Sequence, residues 1–196
     1  TPFFNPGPSL YPAPSVFTGA VNAYNCQVAG EVCDGLMLHS LTSAEYVRDV
    51  VRPGLDKGAE KSGRDRSQTG LTGSGFIITG PNQSSIQAAT ADVRRRIAFY
   101  SSTRTYFPVL EAHGFEEIGA QLHQMSLRGE WAEMGELVSD EMLDAFAVIG
   151  EYDQIAGRFL ERYGGLLDEI NFSPSTEGPI EEVQLRRMIQ ELREGV

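Results

Sequence analysis

Short apolar segments alternate with helical segments along most of this chain, and this alternation restricts the fold more than any other feature. The apolar segments fall at residues 15–20, 36–39, 71–79 and 167–172. Strands that alternate with helices pair in parallel, because each helix carries the chain back to the edge where the next strand starts. The pattern predicts an α/β fold. Four strands form either a small doubly wound sheet or half of an eight-stranded barrel, and periodicity favours neither.

Residues 101–149 interrupt the alternation. This stretch carries short helical patterns and no strand signal, so we expect a helical insertion with Trp131 in its core. A helix over about residues 152–163, the last strand and a charged amphipathic helix follow. The predicted organisation is one domain over residues 1–172, which includes the insertion, and a tail helix within residues 173–196.

A long helix is predicted after the second apolar segment. Thr42, with Glu45 three residues later, forms a capping-box pattern in which Thr42 is the N-cap. Pro53 lies inside the helical span and predicts a kink, because proline removes one helical hydrogen bond and crowds the preceding turn.

The charge of the chain restricts its partners. The net charge is −11, which argues against a nucleic-acid partner, because phosphate contacts require a basic surface. The sequence contains no apolar run of roughly 18 residues and no signal-peptide pattern, so we expect no membrane span and a cytoplasmic location. The chain begins with Thr1 instead of Met, so we expect a processed protein or a piece of a longer one.

The cysteines and histidines do not predict a metal site. Cys26 and Cys33 are separated by about two helical turns, which is too far for a disulfide between them. We expect two buried thiols in a reducing compartment. His39, His113 and His123 are scattered, without the spacing of metal ligands.

Two candidate sites follow the first two strands. Ala20, Val21 and Asn22 lie between a strand and a helix, where free N–H groups favour an anion. Asn22 either adds a hydrogen bond to a ligand or only caps the helix. His39 ends the second strand and either titrates and donates at a site or serves as a structural histidine. Residues 80–85 follow the third strand, and we expect Asn82 or Ser84 to cap the next helix in preference to phosphate binding by this loop.

The basic cluster is formed by residues 94–96 and Arg104, with Tyr100 and Tyr106 beside it. Three consecutive helical residues point about 100° apart, so at most two of these arginines face one ligand. Arg104 lies in a loop and is the preferred candidate for pairing with an anionic group.

Several motifs resemble the luciferase-like monooxygenase family. Residues 17–22 and then 26–36, with Ala29-Gly30-Glu31 and Asp34-Gly35, are similar to the family's strand, loop and helix of pattern L-A-G-E-x-x-D-G. Residues 1–8 resemble the loop before its fifth strand. Four further stretches resemble the branch of this family that uses the deazaflavin coenzyme F420: residues 95–103, 113–115, 129–134 and 146–150.

The resemblance covers about residues 1–172 and implies the carboxy-terminal half, strands five to eight, of a (β/α)8 barrel. It implies an oxidoreductase that transfers hydride between F420 and a small organic substrate, with Ala20, Val21 and Asn22 at the cofactor. F420 carries a phosphate and a polyglutamate tail, which suits Arg104.

Two alternatives stay open: an FMN-dependent luciferase-like monooxygenase, and a catalytically inert half-barrel that serves as a structural or binding module. Family acid/base residues lie mostly in the first four strands, so His39 is the one catalytic candidate. Half a barrel has open sheet edges, and we therefore expect a homo-oligomer or pairing with the missing amino-terminal half.

Overall fold

The structure is a computed structural model that describes Gly7 and residues 11–195. The family resemblance at residues 1–8 lies outside the described residues apart from Gly7. Among the described residues, none of the helices combines the length and apolar character needed to cross a bilayer.

Strands and helices alternate through the described residues. The strands are β1 Phe17–Gly19, β2 Gly35–Met37, β3 Gly70–Gly73, β4 Phe76–Gly80, β5 Ala147–Glu151 and β6 Glu169–Ile170. The α-helices are α1 Ala23–Val32, α2 Ala44–Tyr46, α3 Arg52–Ser62, α4 Gln83–Ser101, α5 Phe107–Glu111, α6 Glu116–Arg128, α7 Asp140–Phe146, α8 Ile155–Tyr163 and α9 Glu182–Glu194.

Every strand pair in the described chain is parallel, which confirms the predicted α/β fold. One sheet has the order β1-β2-β3-β6, and β4 pairs with β5 in a second. β3 and β4 are separated only by Ser74 and Gly75, whose φ of 65° suits glycine. The bridge from Ile78 to Ser175 continues the pairing of β6 along β4. The four predicted strands therefore lie side by side in chain order.

The predicted helical insertion is only partly correct. Short helices do fill most of residues 101–149, but β5 begins at Ala147 and pairs with β4 over its full length. The expectation of no strand there is wrong, because AVIGE is too short for alternation to separate a strand from a helix end. α8 consequently begins at Ile155, after a turn at residues 152–154.

The long helix after β2 contains an irregular turn. Residues Val47–Val51 form a π-helical turn between α2 and α3, and Pro53 lies in the first turn of α3. The predicted kink at Pro53 stays a prediction; the irregularity that the structure does show is the π-helical turn at Val47–Val51, which ends two residues before Pro53. The predicted N-cap is wrong: Ser43, not Thr42, accepts the hydrogen bond from the Tyr46 N–H at 3.1 Å. Both hydroxyl residues precede the helix, and the helix starts one residue later than the capping-box pattern indicates.

Glycines let α1 and α3 pack with their backbones in contact. A Cβ on Gly58 would lie 2.0 Å from the Gln27 carbonyl oxygen, and one on Gly30 would lie 2.3 Å from the Leu55 oxygen. Only glycine tolerates this separation. The pairing holds both helices against one face of the β1-β2-β3 sheet, where Leu36 and Leu71 are buried.

The opposite face of that sheet is open. Phe17 and Met37 share this face, because paired residues in parallel strands and alternate residues in one strand point the same way. Their side chains are 38% and 50% exposed. A sheet covered on one face only is what half of a barrel would present.

Helices cover both faces of the β4-β5 pair. Ile77 and Val148 pack in a cluster with α8 and α9. Phe76 and Ile78, on the other face, join the larger core with α4. The polypeptide from α4 to α7 therefore lies on one side of this sheet, and α8 and α9 lie on the other.

Candidate functional site

The two candidate segments from the sequence follow neighbouring strands. Gly19 pairs with Met37 at the carboxyl ends of β1 and β2. Ala20, Val21 and Asn22 continue from β1, and His39 follows β2 two residues after its end. Both segments therefore leave the same edge of the sheet, where parallel α/β folds hold their ligands.

Asn22 is the N-cap of α1. Its Oδ1 accepts a hydrogen bond from the Asn25 N–H at 2.9 Å, which occupies the side-chain oxygen and leaves the side-chain N–H groups for other partners. The Val21 carbonyl accepts from the Tyr46 hydroxyl at 3.1 Å. Burial raises the pKa of Tyr46 to about 12, so this hydroxyl stays protonated and keeps the loop attached to α2.

His39 is held in one tautomer. Its Nδ1 accepts a hydrogen bond from the Leu41 N–H at 3.0 Å, so the proton of the neutral ring lies on Nε2. Burial first, and then the charge of Arg96, lower the pKa of His39 below its ordinary value. The ring is therefore neutral near pH 7 and offers one donor, Nε2–H.

Two tyrosines form the walls around His39. The ring centroid of Tyr100, near the end of α4, lies 4.2 Å from that of His39 in an edge arrangement. The Tyr106 ring, in the short 3-10 turn Arg104–Tyr106, lies at 4.9 Å. These contacts give the imidazole an apolar surround and place two phenol groups beside it.

The basic cluster divides into different environments. Arg94 donates to the Val138 carbonyl and forms an ion pair with Asp140. The Nη2 of Arg95 lies 3.2 Å from the Oδ1 of Asp92. Arg96 donates to the Ser175 hydroxyl at 3.1 Å, and its guanidinium lies over the Phe76 ring at 5.1 Å from the centroid. The expectation that at most two of these arginines face one ligand stays a prediction.

Arg96 and Arg104 keep their charge uncompensated. Neither forms an ion pair with a carboxylate in the described part of the chain. Arg104 is exposed and begins the turn that brings Tyr106 to His39. Its exposed position, two residues before Tyr106, is compatible with the predicted role of binding an anion, which stays a prediction.

The other histidines and the cysteines take part in internal packing. His113 Nε2 lies 2.7 Å from the Ser43 hydroxyl, and His123 Nδ1 lies 2.8 Å from the Ser102 carbonyl oxygen. Cys26 and Cys33 are buried free thiols, as expected. Among the described residues, no group of three or more potential ligands is arranged to hold a metal ion. Asn82 caps α4, as expected.

Sequence reasoning missed the aromatic contacts of His39 and misplaced Trp131. The sequence places Tyr100 and Tyr106 only beside the arginines and gives no sign of their contact with His39. Trp131, expected in the core, is 50% exposed and lies in the turn between α6 and Met134. The available signal was the helical spacing of Arg96 and Tyr100, four residues apart on α4 and thus on one face.

The chain belongs to the luciferase-like monooxygenase family. The family model of that description matches residues 1–169. This confirms the family that the sequence motifs indicated.

Curated relatives extend the comparison. The uncharacterized protein Rv1360 of Mycobacterium tuberculosis is 42% identical over 170 residues, which cover 87% of this chain and 50% of the relative. The 5,10-methylenetetrahydromethanopterin reductase of Archaeoglobus fulgidus is 24% identical over 151 residues, which cover 74% of this chain and 44% of the relative. The chain thus spans about half the length of the curated relatives it matches.

Solved structures show the same fold. The coenzyme F420 dependent tetrahydromethanopterin reductase from Methanopyrus kandleri matches with a TM-score of 0.69 and 22% identity, covering 92% of this chain and 50% of that one. An F420-dependent secondary alcohol dehydrogenase, solved with an F420-acetone adduct, matches with a TM-score of 0.61 and 14% identity over 90% of this chain and 48% of that one.

Proposed function

We propose that this chain is part of an oxidoreductase that transfers hydride between coenzyme F420 and a small organic substrate. The observation that carries the proposal is the environment of His39: an imidazole just after a strand end whose Nδ1 accepts from the Leu41 N–H, which leaves Nε2–H as its donor, with two tyrosines against the ring. The F420 dependence stated for two structural relatives supports the choice of cofactor. Monooxygenase is the general name of the family and does not by itself favour FMN.

The donor set fits F420. An oxidised deazaflavin ring presents carbonyl oxygens, which accept from a group such as His39 Nε2–H or a tyrosine hydroxyl. Its anionic tail requires cations, and Arg104 is exposed and begins the turn that contains Tyr106, in a chain of net charge −11. The free N–H groups at the start of α1 offer a further place for a phosphate, next to Ala20, Val21 and Asn22.

Each residue then has a defined task. When bound, F420 would supply the two-electron hydride chemistry. His39 donates a hydrogen bond through Nε2, and Leu41 keeps that tautomer in place. Tyr100 and Tyr106 exclude water from the imidazole, and Arg104 binds an anionic group.

The assignment to barrel strands five to eight, the substrate and the partners belong to the same proposal. The open face with Phe17 and Met37 supports pairing with a further half-barrel or a second copy. The cytoplasmic location stays a prediction.

The test is equilibrium titration of the protein with F420 and with FMN, followed by fluorescence. We expect saturable F420 binding, with roughly tenfold weaker binding after Arg104→Gln, the loss expected for one charge-assisted hydrogen bond. The same substitution at Arg186, an exposed arginine of α9, should have no effect. Tighter binding of FMN would favour the monooxygenase alternative, and binding of neither would favour the inert half-barrel.

A further inference from the structure

A surface groove is lined in part by Tyr100, the residue whose ring also contacts His39. It has a volume of about 260 Å³ and is lined by Arg95, Arg96, Phe99, Tyr100, Trp131 and Met134. Met134 is buried and forms the floor, whereas Phe99 and Trp131 are 51% and 50% exposed. Phe99 and Trp131 contact each other and leave apolar ring surface in water, which an aromatic ligand would cover.

Two segments form this groove: the helix α4 and the segment that contains Trp131 and Met134. Residues Met134–Leu137 lie directly against α4, and Gly135 permits this, because a Cβ there would lie 3.2 Å from the Arg95 Cγ. Arg128 and Glu130 form a two-point ion pair at 2.7 and 2.6 Å, which fixes the turn just before Trp131. The Trp131 and Phe99 ring centroids lie 5.8 Å apart at 42°.

The aromatic walls and the two arginines of the groove indicate what kind of ligand it would bind. Its walls are aromatic, and aromatic rings bind flat rings through stacked or edge contacts. Its cations are Arg96, which has no carboxylate partner among the described side chains, and Arg95, whose contact with Asp92 is solvent-exposed. A volume just below the usual range for drug-sized ligands fits a single ring with one substituent.

We propose that this groove binds a small aromatic anion, a ring that carries a carboxylate or a phosphate group. The ring would pack against Phe99 and Trp131, which contact each other, and the anion would pair with Arg96. Tyr100 lines the groove and also contacts His39 and Phe99. That the aromatic anion is the substrate of the reaction rests on the proposed function, but its binding does not.

The chain contains one tryptophan, so its fluorescence reports on the groove directly. Benzoate is titrated against the protein without cofactor, with excitation at the red edge of the indole band, where benzoate does not absorb. Benzyl alcohol lacks the charge and cyclohexanecarboxylate lacks the aromatic ring. We expect a saturable change with benzoate and at least several-fold weaker binding of both comparison compounds.

Variants test the assigned contacts. Arg96→Gln should weaken benzoate binding roughly tenfold, as expected for loss of a charge-assisted hydrogen bond. Phe99→Ala should weaken it roughly three- to tenfold, the range for one aromatic contact. Arg186→Gln and Leu127→Ala change an exposed arginine and an exposed apolar residue elsewhere and should have no effect. Circular dichroism melting establishes that each variant is folded.

Calorimetry repeats the titration without relying on fluorescence. Absence of saturable binding by both methods would overturn the proposal, as would equal binding of cyclohexanecarboxylate or unchanged affinity in Arg96→Gln and Phe99→Ala. The F420 titration is independent. Loss of the benzoate site with F420 binding intact would refute only this inference, and the reverse result would refute only the proposed function.

Discussion

Replacing Gly58 with alanine is expected to destabilise the fold and to disturb the loop at Asn22. The new Cβ would lie 2.0 Å from the Gln27 carbonyl oxygen and 2.9 Å from the Glu31 nitrogen, both of them backbone atoms that cannot rotate away. α1 and α3 would have to separate. Overpacking of this kind destabilises a fold by about 1–3 kcal/mol. Alanine stabilises a helix by only roughly 0.5–1 kcal/mol relative to glycine, so the net effect is destabilising.

The assay is thermal melting followed by circular dichroism, with Gly157→Ala as the matched control. Gly157 lies within α8, and a Cβ there would meet nothing within 4 Å. The control should stabilise by about 0.4–1 kcal/mol. For a domain of this size we expect Gly58→Ala to lower the melting temperature by roughly 2–8 °C and the control to raise it by a few degrees. Equal effects of the two substitutions would refute the close packing of α1 on α3.

Three further predictions concern the site and the open sheet. Asn22→Ala should weaken F420 binding by about 1 kcal/mol, the scale of one hydrogen bond, whereas Asn22→Ser keeps a cap; unchanged affinity in the alanine variant would show that Asn22 only caps α1. The folded-state pKa of His39 is lowered, so the native state binds fewer protons than the unfolded state. The stability that the neutral His39 ring contributes should be complete above the ordinary histidine pKa and should be lost as the pH falls through the lowered pKa. In melting experiments at different pH values, His39→Gln should remove this pH dependence. Sedimentation at low micromolar concentration should show self-association or binding of a complementary half-barrel through the face with Phe17 and Met37; a monomer with a cooperative melt would contradict the half-barrel interpretation.

Strand order was predictable because it depends on regular patterns. The four apolar segments all lie in parallel strands, but the third forms two strands, β3 and β4, in different sheets; the order β1-β2-β3-β6 follows the order in the chain. β5 was not predictable, because Ala147–Glu151 is too short to show a period and directly follows the helix α7. Its pairing with β4 depends on where the insertion places it, which is a tertiary property.

The site was predictable at the level of position and not of contacts. A histidine at a strand end is a sequence feature, and His39 does lie at the expected edge. Its contacts with Tyr100 and Tyr106 connect residues far apart in the sequence, so no local pattern indicates them. Trp131 illustrates the opposite error: its hydrophobicity predicted burial, whereas the turn that contains it leaves half of the side chain exposed.

The identity of the bound cofactor tests the central claim most directly. The protein is produced in a host that makes both F420 and flavins, is purified without added cofactor, and is analysed for bound small molecules by mass spectrometry, with the Arg104→Gln variant in parallel. The account predicts that F420 is recovered with the parent protein and in lower amount with the variant. Recovery of FMN in its place, or of no cofactor from protein that melts cooperatively, would contradict it.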